Sequence, residues 1–413
     1  MGAWHRHLLI ALFLCALVAA SAAAPAAAAT STQDVLYVGN NWDGTADVIN
    51  PHTFQRIARL NIIPDKDARM QEILTQPDRL AYFLAIRQLV GEGHDQFVDD
   101  MFSSPDGRYL FVSRPSFADV VAFDLSTSPP RIVWRTPVEG YRSDHMGISP
   151  DGKRLVVSAS TARKAHVIDV DPSDAKFGQI VGSFESGDSP HENNFSRDGS
   201  LIYHASIGAV YTPLDEPALD STKGDRWFEI VDASTLQVLK RIDMGQKLEE
   251  AGYPDMSSAV RPMALSPDEH YLYFQVSFFH GFVEYDLQQD KVLRLANLPT
   301  TDKTPPTREQ YLLDSAHHGL SMNPEGTKLC AAGTMDGYAA IVSRATFAYH
   351  LAAFGDVPYW STNSGDGRYC FVSFAGDDQV SVISYAKEKE VARIGVGDHP
   401  QRMRMGRAPR DLR

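Results

Sequence analysis

Cysteine is scarce in this chain. Of three in 413 residues, Cys15 falls within the first thirty, which leaves Cys330 and Cys370. One cystine is an accessory and not a framework, so a disulfide-built scaffold is excluded. Basic charge is scarce too: 39 Lys and Arg stand against 52 Asp and Glu, for a formal charge of −13. That balance excludes the basic footprint of a nucleic-acid binder. Beyond the N-terminus no segment is long or apolar enough to span a bilayer. Missing as well are a nucleophile elbow, a Walker loop, a dinucleotide glycine pattern, a haem motif and a short His-x-x-x-His signature.

The N-terminus carries the one long apolar run. His5, Arg6 and His7 precede an apolar stretch from Leu8 to Ala20, and small residues end it at Ala27, Ala28 and Ala29. This order reads as a signal peptide over residues 1–29, giving a secreted or extracytoplasmic protein with no membrane span after cleavage. The competing reading is an uncleaved anchor, because alanines extend the run. Its dense Leu/Phe core is short against the roughly twenty residues a spanning helix needs. Export permits a Cys330–Cys370 bridge, but the sequence does not give the geometry that would decide it.

Residues 30–413 are too many for most single cores, and repeats escape that limit by adding units. One phrase recurs: an apolar residue, Ser or Asn, a Pro-Asp-Gly-like turn, then a β-rich run. It reads FSSPDGRYLFVS from Phe102, ISPDGKRLVVS from Ile148, FSRDGSLIYHAS from Phe195, LSPDEHYLYFQVS from Leu265, MNPEGTKLCAAG from Met322 and NSGDGRYCFVS from Asn363. Second runs such as VVAFDL, AHVIDV and FVEYDL follow, and a third run closes each unit. Tight turns flanked by Val, Ile, Tyr and Phe describe a four-stranded antiparallel sheet. A lone sheet cannot bury both faces, so such sheets stack radially as propeller blades.

Six copies leave the ends. VLYVGN, TADVIN and RIARLNI near the N-terminus lack a first strand, and HPQRMRM near the C-terminus lacks the rest. Together they predict a seventh blade shared by both termini, which removes the exposed edge. The expected fold is therefore an all-β, seven-bladed β-propeller with a short helical insertion near 65–92. GDSPHENNFSRDG from Gly187 and VGDHPQR from Val396 make the repeat resemble that of the secreted YVTN/YncE-like propellers. That resemblance implies the fold over nearly the whole chain, but not an activity, because the architecture hosts binders, scaffolds and enzymes.

In a propeller the first strand of each blade lines the channel. Counting five residues back from the turn Ser or Asn gives Asp99, Asp144, His191, Arg261, His318 and Tyr359, with His399 as the expected equivalent in the shared blade. Asp100, His145, Glu192, His317 and Arg402 neighbour them. None of the seven is apolar. A wet channel lining explains polar strand starts, but three imidazoles, two carboxylates, a guanidinium and a phenol are chemically competent groups. Long insertions over 65–95, 208–225, 246–260 and 299–316 are expected to crowd the same mouth. The first reads as two helices split at Pro77, serving as a lid or as packing. Arg114, His204 and His280 are expected near the rim.

Three functions compete for this mouth. It binds a small or anionic ligand, or a protein partner, through Arg261 and the histidines. Alternatively it holds one divalent metal ion on His191, His318, His399, Asp99 and Asp144. The third reading is a lyase or hydrolase whose catalytic groups are drawn from His191, Arg261, His318, Tyr359 and His399, with a histidine base, Tyr359 as acid and Arg261 neutralising an enolate.

Overall fold

The recurring turn builds the architecture. In the computed structural model, which describes residues 31–210, 219 and 222–413, the turn Ser side chain accepts from the backbone N–H five residues on. Ser104, Ser149, Ser196 and Ser266 do so at 2.9 Å and Ser364 at 3.0 Å. Each hydroxyl also donates to the turn carboxylate two residues ahead, at 2.5–2.7 Å. The turn glycine is required where φ is positive, as at Gly152 with φ +70°. These residues are therefore spent on turn geometry.

Strands between the turns form seven four-stranded antiparallel sheets arranged as the blades of a β-propeller. Residues Thr32–Arg413 make one compact unit. The C-terminal strand Pro400–Pro409 supplies the first strand of the seventh blade, pairing Met403, Arg404, Met405 and Gly406 with Val38, Tyr37, Leu36 and Val35. The two termini thus share one blade, as expected, and close the ring. The core lies between blades: Tyr109 and Phe111 of one blade pack with Met146, Leu155 and Val157 of the next. Each such large apolar side chain contributes about 1.5–3 kcal/mol on burial.

Helix is confined, among the described residues, to α1 (Lys66–Leu74), α2 (Pro77–Leu89), α3 (Met244–Glu250) and a few single-turn segments. Pro77 starts α2 at its first position, where a missing N–H costs nothing. α3 buries Met244 and Leu248 against a blade. Cys330 and Cys370 are bridged. They sit one position out of phase on the second strands of adjacent blades, so their side chains leave opposite faces and meet in between. Residues 1–29, where the sequence leads one to expect a signal peptide, and parts of the 208–225 insertion lie outside the described residues.

Candidate functional site

The first strands bring one residue per blade to the mouth of the channel. Asp99, Asp144, His191, Arg261, His318 and Tyr359 line a single cavity of about 540 Å³. His399 does not. Pro190, Pro358 and Pro400 occupy one register position, opposite Ser206, Phe374 and Asn40. The residue after each is His191, Tyr359 and Gln401, so Gln401 holds the position expected of His399, and Gln401 lines the cavity. His399 instead occupies the left-handed turn before the strand, with φ 54° like Ser189 at 48° and Val357 at 50°. Its ring stacks on Trp42 at 3.7 Å, and Trp42 stacks on His94 at 3.8 Å on its other face.

The insertions build the cavity walls. Tyr82, Ile86 and Val90 come from α2 and the residue after it, Lys223 from the 208–225 segment, and Leu313 from the 299–316 segment. The helical insertion therefore walls the mouth as well as packing Ile73 and Phe83 into the core. Arg114 is engaged elsewhere, between Asp65 at 2.6 Å and Asp119 at 2.8 Å. His204 is buried between Ser186 at 2.7 Å and Asn193 at 2.8 Å, away from the cavity.

A second row of side chains forms the floor. His145 Nδ1 lies 2.9 Å from Glu192 Oε2 and 2.8 Å from His191 Nδ1, and its Nε2 lies 3.4 Å from Asp144 Oδ1. Glu192, Trp360 and Arg404 also line a hollow of about 520 Å³ on the turn face, so this row separates the two ends of the channel. Arg404 clasps Asp100 through two bonds of 2.8 and 2.7 Å. Arg402 lies 3.4 Å from Asp99 and stacks over Trp360 at 4.2 Å. His318 packs on Tyr359 at 4.3 Å between ring centroids.

Burial sets the electrostatics. Asp99 and Glu192 are each pushed up to about 7 by burial, with Arg402 pulling against it. Asp144 is raised by the same cause. His145, His191 and His318 are driven well below the usual imidazole range by burial and then by Arg402, so they are neutral. Burial pushes Tyr359 up to about 12. Arg261 is buried and donates to Ser277 Oγ at 3.0 and 3.1 Å and to the Leu313 carbonyl. Asp314, the carboxylate that acts on it most, is held by Lys223 at 2.8 Å. Arg142 donates to the Gln96 amide oxygen.

Sequence reasoning did not single out Arg142, Gln401 or the His145–Glu192 contact. Pro400 signalled Gln401, because a Gly-Asp-x-Pro turn precedes this strand in three blades. His317 and His318 diverge, as successive strand residues do: His317 Nε2 joins His280 Nδ1 on Asp336 Oδ2, each at 2.8 Å. Of the metal set expected from sequence, Asp144 and His191 come together, joined by His145, while Asp99, His318 and His399 are not part of that group. Among the described residues, mutually close donor atoms occur in Asp144, His145 and His191, and in His280, His317 and Asp336.

No protein-family profile matches the chain, and no curated protein matches it. Among solved structures it is similar to hydrazine synthase of Kuenenia stuttgartiensis, with a TM-score of 0.55 at 15% identity over 73% of this chain and 88% of that one. The class defined by sheet order and neighbour is a seven-bladed β-propeller. At that identity the likeness speaks for the fold alone.

Proposed function

We propose that the protein acts outside the cytoplasm as a propeller of the YVTN/YncE type that binds a small anionic molecule at its loop-rich mouth. One observation carries the reading. Arg261 and Arg142 both line the cavity, yet neither has a carboxylate within ion-pair distance among the described residues. A buried guanidinium with no carboxylate in direct contact is costly, and a carboxylate or oxyanion ligand supplies that contact bidentately. A cavity of about 540 Å³ suits a small molecule. The signal-peptide pattern and the Gly-Asp-x-Pro turns support the export and family parts of the proposal.

The test is thermal unfolding with a panel of inorganic phosphate, sulfate and succinate. At least one anion is expected to stabilise the wild type by about 2.7 kcal/mol at a hundred times its Kd, read as a rise in melting temperature that continues with the logarithm of its concentration. Arg261→Gln loses the rise, while the turn-face variant Asp151→Ala keeps it. An equal rise in Arg261→Gln overturns the reading.

A second reading, a lyase or hydrolase acting on the same anion, is favoured by His318 lying against Tyr359 on the wall that carries Arg261. These groups supply a base, an acid and a cation. Incorporation of solvent deuterium next to the carboxylate of a panel compound, lost in Tyr359→Phe, tests it. No incorporation across the panel counts against it.

A further inference from the structure

We propose that the anion taken by the mouth is a monocarboxylate with an apolar tail, alkyl or aryl, and not an inorganic oxyanion or a dicarboxylate. This preference rests on the anion reading above, since the arginines hold the head group, and it comes from what stands beside each arginine. Arg261 donates to the Leu313 carbonyl. Leu313 packs against a small apolar cluster of Ile207, Val210 and Ala259, separate from the cores between blades. Arg142 donates to the Gln96 amide oxygen, and Gln96 Nε2 donates in turn to the Val90 carbonyl at 3.5 Å. Tyr82, Ile86 and Val90 follow one another four residues apart along α2 and at its end, so they share one face. Ile207, Val210 and Leu313 on one side and this α2 row on the other line the same cavity as the two guanidiniums.

An inorganic oxyanion or succinate meets the guanidiniums but sets water or a second charge against that apolar lining. A tail that covers it gains about fourfold in affinity per buried methylene. Excluding water also strengthens the ion pair at the head. The wall beside Arg261 is held in a costly shape. Leu313 and Asp314 are both left-handed, with φ 48° and 62°, a conformation that residues other than glycine keep only where their surroundings hold it. Lys223 pairs with Asp314 at 2.8 Å, which ties the 208–225 and 299–316 segments together and keeps Leu313 on the cavity wall. Asp99 and Asp144 face the same cavity, but burial raises both carboxyls, Asp99 to about 7, which lessens their repulsion of an anionic head.

The experiment titrates the full chain by calorimetry with butyrate, hexanoate, phenylacetate, succinate, sulfate and the uncharged hexanamide, at constant ionic strength. Hexanoate is expected to bind about fifteenfold more tightly than butyrate, with a negative heat-capacity change. Phenylacetate is expected to bind more tightly than succinate or sulfate. Leu313→Ala or Ile86→Ala narrows the hexanoate-to-butyrate ratio to about fivefold or less, whereas Arg261→Gln weakens both acids and leaves their ratio standing. Melting curves identify any variant that fails to fold, and the wild-type ratio then carries the test. Equal binding of butyrate and hexanoate, tighter binding of succinate or sulfate than of hexanoate, or a ratio unchanged in both wall variants overturns the proposal while the anion reading stands. Hexanamide binding as tightly as hexanoate, or no binding by any of these compounds, overturns the anion reading and the proposal with it.

Discussion

Arg404 and Asp100 close the ring electrostatically, and replacing Arg404 by Met tests how much that clasp contributes. Arg404 comes from the C-terminal strand and Asp100 from the start of the next blade, so their two bonds of 2.8 and 2.7 Å cross the junction where the chain's ends meet. Asp100 is fully buried. Without Arg404 it keeps only the Met101 N–H at 2.9 Å and the Met146 N–H at 3.2 Å. Leaving a buried carboxylate without its partner costs about 3–5 kcal/mol. Methionine keeps an unbranched apolar side chain there but removes the guanidinium that lies 4.7 Å over Phe102 and 4.9 Å over Trp360, so the loss includes those ring contacts and the double variant is needed to isolate the ion pair. Adding Asp100→Asn removes the orphaned charge and is expected to restore about 2–3 kcal/mol, a coupling that the double-mutant cycle isolates. Guanidinium denaturation followed by tryptophan fluorescence measures all four proteins. A single-variant loss below about 1 kcal/mol, or a double variant no more stable than Arg404→Met, refutes the reasoning.

Further outcomes follow from the same structure. Deleting residues 398–413 removes the buried Met403, Ala408 and Leu412 and the partners of Asp99 and Asp100. The cooperative melt is expected to vanish, and an unchanged melting temperature contradicts closure. Reducing Cys330–Cys370, whose partners are 40 residues apart, is expected to cost about 4 kcal/mol by loop entropy, measured as a fall in denaturation midpoint on adding dithiothreitol; no shift contradicts it. His204 is held down to about 3 by burial, with Ser186, Asn193 and Phe184 around it. The unfolded chain therefore takes up its proton first, and stability present above pH 6.5 is lost as pH falls toward 3, on the order of 1 kcal/mol per pH unit. Denaturation midpoints between pH 7 and 4 check this; in His204→Gln the acid slope is shallower, and an unchanged slope contradicts it.

The fold was legible because turn chemistry repeats. Ser104 and its equivalents, with Asn323 in the same place, bind the backbone in the same way in six blades, so one physical requirement wrote itself into the sequence six times. The seventh blade carries no such turn after its first strand. Gly406 stands where the others have Ser or Asn, and the strand runs on to Pro409. Counting back from an absent turn placed His399 two residues out of phase, whereas Pro400 fixes Gln401. Six of the seven mouth residues lay within reach of the repeat because they share one register position.

The floor was less legible. His145 and His191 occupy successive positions of the repeat, which on one strand point apart. They meet because they come from adjacent blades brought close at Gly147. Arg142 lies just before a first strand, in a segment where no phase rule applies. The sequence leaves the Cys330–Cys370 bridge open, and the structure explains it by phase: cysteines one position apart on neighbouring second strands face each other.

The claim that the mouth is an anion site is tested most directly by crystallography with an anomalous oxyanion. Crystals soaked in sodium selenate are predicted to show a selenium peak on the cavity wall, with selenate oxygens within hydrogen-bond distance of Arg261 and Arg142. The same soak of Arg261→Gln crystals should show no peak there. A wild-type cavity without selenium, or a peak that persists unchanged in Arg261→Gln, contradicts the account.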